Sequence, residues 1–315
     1  MVMLATELKT IADLDRNRTF ILQQKLDGAR YTLQLFKDGR VELKGRHSNA
    51  LMNEAYPEII QEAQEMNRGL AEDILLDGEM VVGERTGFWF RCDFSLLASR
   101  EHTKSARKIN LLRRMKPVRL IVFDILTEST KALTLKERTI ALETFLGQFQ
   151  KHEDNPYFSS RRIQAIPSQE GDYLLAEELF REAKRLSMEG LVLKDPQSHY
   201  EDKRSNSWLK LKSYTEEDVK VLGYTSKNRE ISSLITDKGK VNFVGQPEEV
   251  EQAILHTEIM LTKENTIEKQ YYFNDAVKMI AKVKYLPSEY ANMRFPILKE
   301  VMLTKGGNAN GGNAN

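Results

Sequence analysis

The sequence predicts an α+β chain that folds as two domains. The chain has 315 residues, more than one compact core usually holds, and 41% of them are hydrophobic and 30% are charged, as in globular proteins. Strand-like runs alternate with helical stretches up to about residue 214, and short β-like runs separated by turns dominate the remainder. We therefore place the domain boundary near residues 213–215.

The first domain begins with hairpin and helix signals. ARYTLQLFKDGRVELKGR alternates apolar and polar residues around Asp38-Gly39, which predicts a hairpin. NEAYPEIIQEAQEMNRG predicts a helix closed by Gly69, and DILLDGEMVVG predicts a strand, with Asp-Gly-Glu (residues 77–79) at a strand end. HTKSARKINLLRRM, residues 102–115, predicts one basic helix.

The same alternation continues to the domain boundary. VRLIVFDIL predicts a buried strand, because it is nearly continuous in β-branched and aromatic residues. TLKERTIALETFLGQF and AEELFREAKRLS predict helices, and EGLVLKD and SNSWLKLKS predict the last two strands of the domain.

The second domain has the pattern of a small barrel. Short β-like runs surround one helical stretch, PEEVEQAILHTEIM, at residues 247–260. The repeated GGNAN of residues 306–315 has no large apolar side chain to bury, so it predicts a disordered tail.

Composition excludes several classes of protein. The formal net charge is only +1, so nucleic-acid binding would have to come from local basic patches. The single cysteine, Cys92, can form neither an internal disulfide nor a Cys-rich zinc site, and a reducing cytoplasm is the default. The start of the chain lacks a signal-peptide pattern, and no apolar run approaches the ~20 residues that span a bilayer.

Lys25 is the first candidate for chemistry. It follows a strand-like run and precedes Leu-Asp-Gly and Arg30 in the string QQKLDGAR. A lysine amine is nucleophilic only when neutral, so a catalytic lysine needs nearby cations or burial to lower its pKa. The string alone is more typical of a lysine in a turn.

Four further strings follow Lys25 along the chain. They are DGE at residues 77–79, VFDIL at 122–126, EGLVLK at 189–194 and WLKLK at 208–212. Each has an ordinary explanation, because a strand-end Glu is usually solvated, a strand Phe usually packs in the core, and alternate strand lysines usually face water. All of them together, in this order and spacing, indicate a shared site.

With these strings the sequence resembles the covalent nucleotidyltransferases, which include ATP-dependent DNA ligases, RNA ligases and mRNA capping enzymes. It is most similar to small ATP-dependent DNA ligases of bacterial or phage type, from residue 20 to about residue 300. The resemblance implies an adenylation domain of antiparallel sheets flanked by helices at residues 1–214, an OB-fold β-barrel at residues 215–305, and the tail at residues 306–315.

The resemblance also implies an activity and its partners. Lys25 would take AMP from ATP and pass it to the 5′-phosphate of a nick in double-stranded DNA, and the 3′-hydroxyl would then close the nick. Mg²⁺ or Mn²⁺ would assist, because oxygen ligands with bound phosphates suit such ions. We expect a monomer without membrane contact, in the cytoplasm of a bacterial or phage-infected cell, that serves DNA repair, replication or recombination.

Individual residues acquire roles from the same resemblance. Lys25 would carry AMP, and Asp27 would orient it or help to hold the metal. Lys210 and Lys212, on one strand face, would meet the α-phosphate and depress the pKa of Lys25. The other implied cofactor- or metal-binding residues are Gln23, Arg30, Arg46, Glu79, Phe123 (stacked on adenine), Glu189 and Lys194, with Glu79 and Glu189 as metal candidates.

A basic stretch offers a phosphate-binding face for DNA. Residues 100–116 contain a single acid, Glu101. The candidate DNA-binding residues are Arg100, Lys104, Arg107, Lys108, Arg113 and Arg114, with Lys116 beside them. A solvated basic helix is the alternative for each of them.

The sequence departs from the family near its end. Ligase barrels normally end with Arg-x-Asp-Lys, which orients the pyrophosphate of ATP, and Met302, Leu303, Thr304 and Lys305 stand at those positions. Either Lys305, Lys299 or Arg294 does this work, or self-adenylation from ATP is weak. A loop that grips DNA is expected within residues 246–274.

Three other interpretations stay open. An RNA ligase would share the chemistry but differ in the second domain, and a capping guanylyltransferase would be labelled by GTP. A nucleic-acid-binding module without activity is the alternative outside enzymes. An NAD-dependent ligase is disfavoured, because its usual zinc-binding cysteines cannot exist with one Cys.

Overall fold

The computed structural model describes residues 2–46, 50–92, 94–149, 161–227, 230–242, 259–264, 269–273, 278–287 and 293–304. The chain divides between Ser213 and Tyr214 into two compact units. The predicted tail at residues 306–315 and Lys305 lie outside the described residues.

The first unit alternates strands and helices along the chain. Its strands are β1 (Leu4–Leu8), β2 (Phe20–Gln24), β3 (Ala29–Leu35), β4 (Val41–Gly45), β5 (Ile74–Thr86), β6 (Trp89–Cys92), β7 (Val118–Leu126), β8 (Ile163–Ala165), β9 (Ser168–Gly171), β10 (Gly190–Lys194) and β11 (Arg204–Lys212). Its α-helices are α1 (Pro57–Met66), α2 (Phe94–Glu101), α3 (Ala106–Met115), α4 (Leu135–Gly147) and α5 (Tyr173–Arg185).

Two sheets form the first unit. One has the strand order β1-β11-β10-β2-β9, and the other has the order β4-β3-β5-β7-β8, with β6 paired to β5. The predicted antiparallel arrangement is correct except for two edge pairs, β1 with β11 and β7 with β8, which are parallel. Parallel neighbours need a long crossover connection, which the chain through α4 supplies between β7 and β8.

Helices cover an apolar face of each sheet. Residues of α1 and α4, such as Ile59 and Leu142, pack with Leu33 and Leu76 of the sheet that contains β3 and β5. Helix α5 packs its apolar stripe against β2, β10 and β11 of the other sheet. The two sheets therefore have separate cores.

Three local predictions can be compared with the structure. The hairpin is confirmed: β3 and β4 pair through a turn in which Gly39 has φ +93°. The Asp-Gly-Glu string lies within β5, not at its end, because pairing with β6 extends that strand to Thr86. The predicted helix at residues 102–115 is confirmed as α3 over Ala106–Met115, while residues 102–105 precede it without helical structure and the Thr103 hydroxyl donates back to the Ser99 carbonyl.

The second unit is a set of antiparallel strands. They are β12 (Thr215–Lys227), β13 (Glu230–Thr236), β14 (Gly239–Asn242), β15 (Ile259–Glu264), β16 (Lys269–Phe273), β17 (Lys278–Leu286) and β18 (Arg294–Thr304). The long strand β12 pairs with β13, β16 and β17, and β17 pairs with β18. Strand β14 lies beside β18, so β12, β13, β14, β18 and β17 follow one another around a ring.

The predicted helix at residues 247–260 lies mostly outside the described residues, and its last two residues begin strand β15. Within the described ranges, none of the helices has the length and apolar character that crossing a bilayer requires.

Candidate active site

A cavity of about 790 Å³ opens between the two sheets of the first unit. Residues from both sheets line it. The predicted site residues among them are Gln23, Lys25, Arg30, Arg46, Glu79, Phe123, Glu189, Lys194, Lys210 and Lys212. The fold therefore brings together residues that are separated by up to 189 positions in the sequence.

The backbone around Lys25 is fixed by hydrogen bonds. The preceding residue, Gln24, is buried, and its amide donates to the Phe90 carbonyl at 2.8 Å while it accepts from the Phe90 N–H at 2.6 Å. The Lys25 N–H donates to the Gly190 carbonyl at 2.8 Å. A Cβ at Gly28 would lie 2.2 Å from the Met80 carbonyl oxygen, so only glycine fits there. Lys25 is thus held at a defined point of the cavity wall.

The Lys25 amine faces a carboxylate. Its Nζ lies 2.6 Å from Oε1 of Glu189, which is 8% exposed. Burial lowers the pKa of Lys25, but attraction to Glu189, and then to Glu79 and Asp27, outweighs burial and raises the pKa above 10.5. The prediction that neighbouring lysines would depress this pKa is therefore wrong, because carboxylates dominate the surroundings of the Lys25 amine.

Glu79 lies on the opposite sheet. It pairs in register with Arg30 of β3. Burial raises the pKa of Glu79 to about 8, and the negative charge of Glu189 adds to that rise. Glu79 therefore takes up a proton more readily than an exposed glutamate does.

The described side chains supply only part of the ligand set that a metal ion needs. Among the side chains that the structure describes, no group of three or more His, Cys, Asp or Glu residues has the arrangement of a metal site. Glu79 and Glu189 face the same cavity as two carboxylates, which fits an ion that takes its remaining ligands from phosphate and water.

The Arg30 guanidinium is held by two hydrogen bonds to a buried carboxylate. Its Nε and Nη2 donate to the two carboxylate oxygens of Asp77, at 2.9 and 2.5 Å, and its Nη1 donates to the Met3 carbonyl at 2.7 Å. Asp77 is fully buried, and the Tyr200 hydroxyl donates to it as well. Arg46 is different, because it is exposed at the cavity edge and its N–H donates to the Arg30 carbonyl.

Two aromatic rings and a buried lysine form another part of the lining. The Lys194 Nζ lies 3.8 Å from the Trp208 ring centroid and 4.5 Å from that of Phe123, and it donates to the Phe123 carbonyl at 3.4 Å. Burial lowers the pKa of Lys194 to about 7. The sequence assigns no role to Trp208, although its place beside the lysines of one strand is a signal for the site.

Strand β11 carries the remaining lysines on one face. Lys210 and Lys212 both line the cavity, as alternation along a strand requires. Nζ of Lys210 lies 3.5 Å from Oε2 of Glu7 in β1. Glu7 was missed from the sequence, because a pairing of strands about 200 residues apart leaves no local pattern.

Asp27 and Gln23 form hydrogen bonds to distant parts of the first unit. Asp27 does not line the cavity; it is buried, and its Oδ2 accepts from the Phe94 N–H at 2.8 Å, at the start of α2. The Gln23 amide donates to the Ser168 hydroxyl at 2.9 Å. Both residues therefore help to fix the segment around Lys25.

The six candidate DNA-binding residues of the basic segment are exposed with one exception. Lys104 and the α3 residues Arg107, Lys108, Arg113 and Arg114 are exposed. The DNA-binding prediction is wrong for Arg100, which is 1% exposed. Its guanidinium lies 2.8 Å from Glu58 and donates to the Lys116 and Ala55 carbonyls. Arg100 therefore connects α2 to neighbouring segments inside the unit.

Comparisons of this chain with known proteins agree on one family. Residues 2–212 match the model of a family described as ATP dependent DNA ligase domain. The SPbeta prophage-derived DNA ligase-like protein LigB of Bacillus subtilis is 24% identical over 92% of this chain and 95% of its own length. The bifunctional non-homologous end joining protein LigD of the same species is 29% identical over 65% of this chain, but the match spans only 33% of that longer protein.

A solved structure has the same fold. The ligase domain of LigD from M. tuberculosis superposes with a TM-score of 0.52 at 18% identity, over 96% of this chain and 94% of that domain. At this identity the likeness concerns the fold.

Proposed function

This chain belongs to the family of ATP-dependent DNA ligases, and from that membership we propose that it seals nicks in duplex DNA through an AMP adduct on Lys25. The observation that carries the proposal is the position of the Lys25 amine. It lies in the cavity beside Glu189, and Lys210 and Lys212 line the same space.

The proposed reaction has three displacements at phosphorus. The Lys25 Nζ forms a bond to the α-phosphorus of ATP as the bond to pyrophosphate breaks, and Glu189 is the nearest acceptor for the amine proton. An oxygen of the 5′-phosphate at the nick then attacks the same phosphorus, and the P–N bond to Lys25 breaks. Finally the 3′-hydroxyl attacks the activated 5′-phosphate, and AMP leaves with the electron pair of the broken P–O bond.

The cations of the cavity would bind the nucleotide. Lys210 and Lys212 would meet the α-phosphate, and Arg30 and Arg46 suit ribose or phosphate contacts. The Arg30 guanidinium is held rigidly by its two hydrogen bonds to Asp77. These bonds leave few of its N–H groups for the ligand. Lys194 lies deeper, between rings.

Two further elements of the site complete the assignment. Phe123 is half-buried at the cavity wall and would stack on the adenine. Glu79 and Glu189 would hold Mg²⁺, which when bound would neutralise charge on the phosphates.

We assign residues 1–214 to an adenylation domain and residues 215–305 to an OB-fold domain. The ring of five strands in the second unit, with β12 and β17 adjacent, supports a small barrel. The pair β15–β16 follows β14 in the chain and adds to β12, and it lies within the segment expected to contain a DNA-gripping loop.

Nick sealing provides the direct test of the function. We expect denatured protein to retain label from α-labelled ATP but not from GTP or NAD, and to seal nicked DNA but not single-stranded RNA. GTP labelling would instead identify a guanylyltransferase, and preferential RNA joining an RNA ligase. A protein that retains no label and also fails to seal a pre-adenylated nick would contradict the proposal.

Charge on helix α3 is expected to contribute to DNA binding. We expect the Arg113→Ala/Arg114→Ala variant to have a shallower salt dependence of DNA binding. The slope of the logarithm of the DNA association constant against the logarithm of the salt concentration should fall in magnitude by about 2, since each phosphate contact contributes about one unit. Fluorescence anisotropy with nicked duplex at several salt concentrations measures this slope.

Two arginines of α5 provide a charge-matched control for this prediction. Arg181 and Arg185 are similarly exposed but lie near Glu177 and Glu182 in their own helix. The Arg181→Ala/Arg185→Ala variant should leave the slope unchanged. Equal effects of the two double variants would show that only net charge matters and would reject α3 as a specific surface.

A further inference from the structure

Residues 3–8 touch three of the cations around the cavity. Arg30 donates to the Met3 carbonyl at 2.7 Å, and Arg204 donates to the Ala5 carbonyl. The Lys210 Nζ lies 3.5 Å from the Glu7 carboxylate. Leu4 and Ala5 also line the cavity, so strand β1 forms part of its wall.

The backbone sets the contact between Glu7 and Lys210. The two residues are direct partners in the parallel pairing of β1 with β11. Side chains of paired residues on adjacent strands point to the same face of a sheet. Lys210 faces the cavity, and Glu7 therefore stands beside it at the cavity edge without lining the cavity itself.

We propose that Glu7 is a positioning residue that holds Lys210 at the cavity edge until the phosphates of ATP replace Glu7 as the partner of this lysine. The inference rests on the proposed function, in which Lys210 meets the α-phosphate. Glu7 touches no reacting atom in this scheme and acts only through Lys210.

The exposure of the pair favours such an exchange. The side chains of Lys210 and Glu7 are 26% and 49% exposed, and ion pairs with this much access to water are weak. The pair of Lys25 with Glu189 is more enclosed, at 21% and 8%. A phosphate inside the cavity competes with Glu7 for a cation whose present partner is partly screened by water.

The surroundings of Lys210 make its charge sensitive to Glu7. Burial lowers the pKa of Lys210, Glu7 on β1 raises it, and Lys212, Lys25 and Arg204 lower it. Without Glu7 only the lowering influences remain. Lys210 would then lose its proton, and with it its attraction for phosphate, at a lower pH.

The test measures ATP binding directly, by titration calorimetry across the alkaline pH range. Glu7→Gln removes a competing anion, so we expect ATP to bind about two- to five-fold more tightly at neutral pH. The affinity of this variant should then fall at a lower pH than that of the wild type. Glu7→Asp keeps the charge and should restore the wild-type pH profile.

A matched ion pair outside the cavity serves as the control. Glu201 lies 3.3 Å from Lys203 and is 43% exposed, and Glu201→Gln should bind ATP as the wild type does. A Glu7→Gln variant with unchanged affinity and pH profile would overturn the role of Glu7, as would a Glu7→Asp variant that behaves like Glu7→Gln. ATP binding without covalent labelling would count against the proposed chemistry alone, whereas a wild type that binds no ATP would reject both.

Discussion

Lys25→Ala should abolish covalent labelling by ATP and leave binding of nicked DNA largely intact. Among the described residues no other amine takes the same position, because the hydrogen bonds of Gln24 and Lys25 fix this point of the backbone. The lost reaction is the formation of the P–N bond, so the variant should still seal a nick that already carries a 5′-adenylate. Denaturing gels with α-labelled ATP measure the first step, and sealing of pre-adenylated duplex measures the last.

Two further variants separate chemistry from structure in this experiment. Lys25→Arg keeps a cation beside Glu189 but supplies a guanidinium that stays protonated, so it should fold normally and take no label. Lys131 is 62% exposed and pairs with Glu128 on the surface, and Lys131→Ala should label as the wild type does. Label retained by Lys25→Ala would show that another residue is the nucleophile.

Asp124→Ala is expected to destabilise the first unit by about 3–5 kcal/mol, the usual result of leaving one charge of a buried pair without its partner. Asp124 of β7 and Arg138 of α4 are both fully buried, and the guanidinium donates to the two carboxylate oxygens at 2.8 and 3.0 Å. Arg138 also donates to the Leu133 carbonyl, so the pair joins helix and sheet. Urea denaturation followed by circular dichroism measures the loss.

The control for this prediction is an exposed pair on the same unit. Glu128 and Lys131 are 83% and 62% exposed at 2.6 Å, and Glu128→Ala should cost less than about 0.5 kcal/mol. Replacing both buried partners, as Asp124→Leu with Arg138→Met, should recover part of the stability because no unpaired charge remains. A cost for Asp124→Ala no larger than that of Glu128→Ala would mean that water reaches Arg138.

Much of the fold was predictable because its signals are local. Alternating apolar residues around Asp38-Gly39 predicted the β3–β4 hairpin, and the buried run VRLIVFDIL predicted β7. The predicted helix at residues 102–115 begins four residues later than expected, at Ala106. The burial of Arg100 was not predictable, because its hydrogen-bond partners come from elsewhere in the chain.

The site was likewise predictable only where its signals are local in the sequence. Its positively charged residues were identified from short strings, and the fold places them around one cavity. Their pairing with carboxylates was not predictable, because Asp77, Glu189 and Glu7 approach lysine or arginine only after distant strands have paired. The sign of the Lys25 pKa shift could not be derived from sequence for this reason.

The pairing of Lys25 with Glu189 has a consequence for chemical selectivity. An ammonium group has no lone pair, so aldehydes and activated esters cannot add to it. The raised pKa keeps the Lys25 amine mostly protonated, and so unreactive toward such reagents, until the proton passes to a base such as Glu189. The 2.6 Å contact that holds the proposed nucleophile therefore also protects its amine from accidental modification.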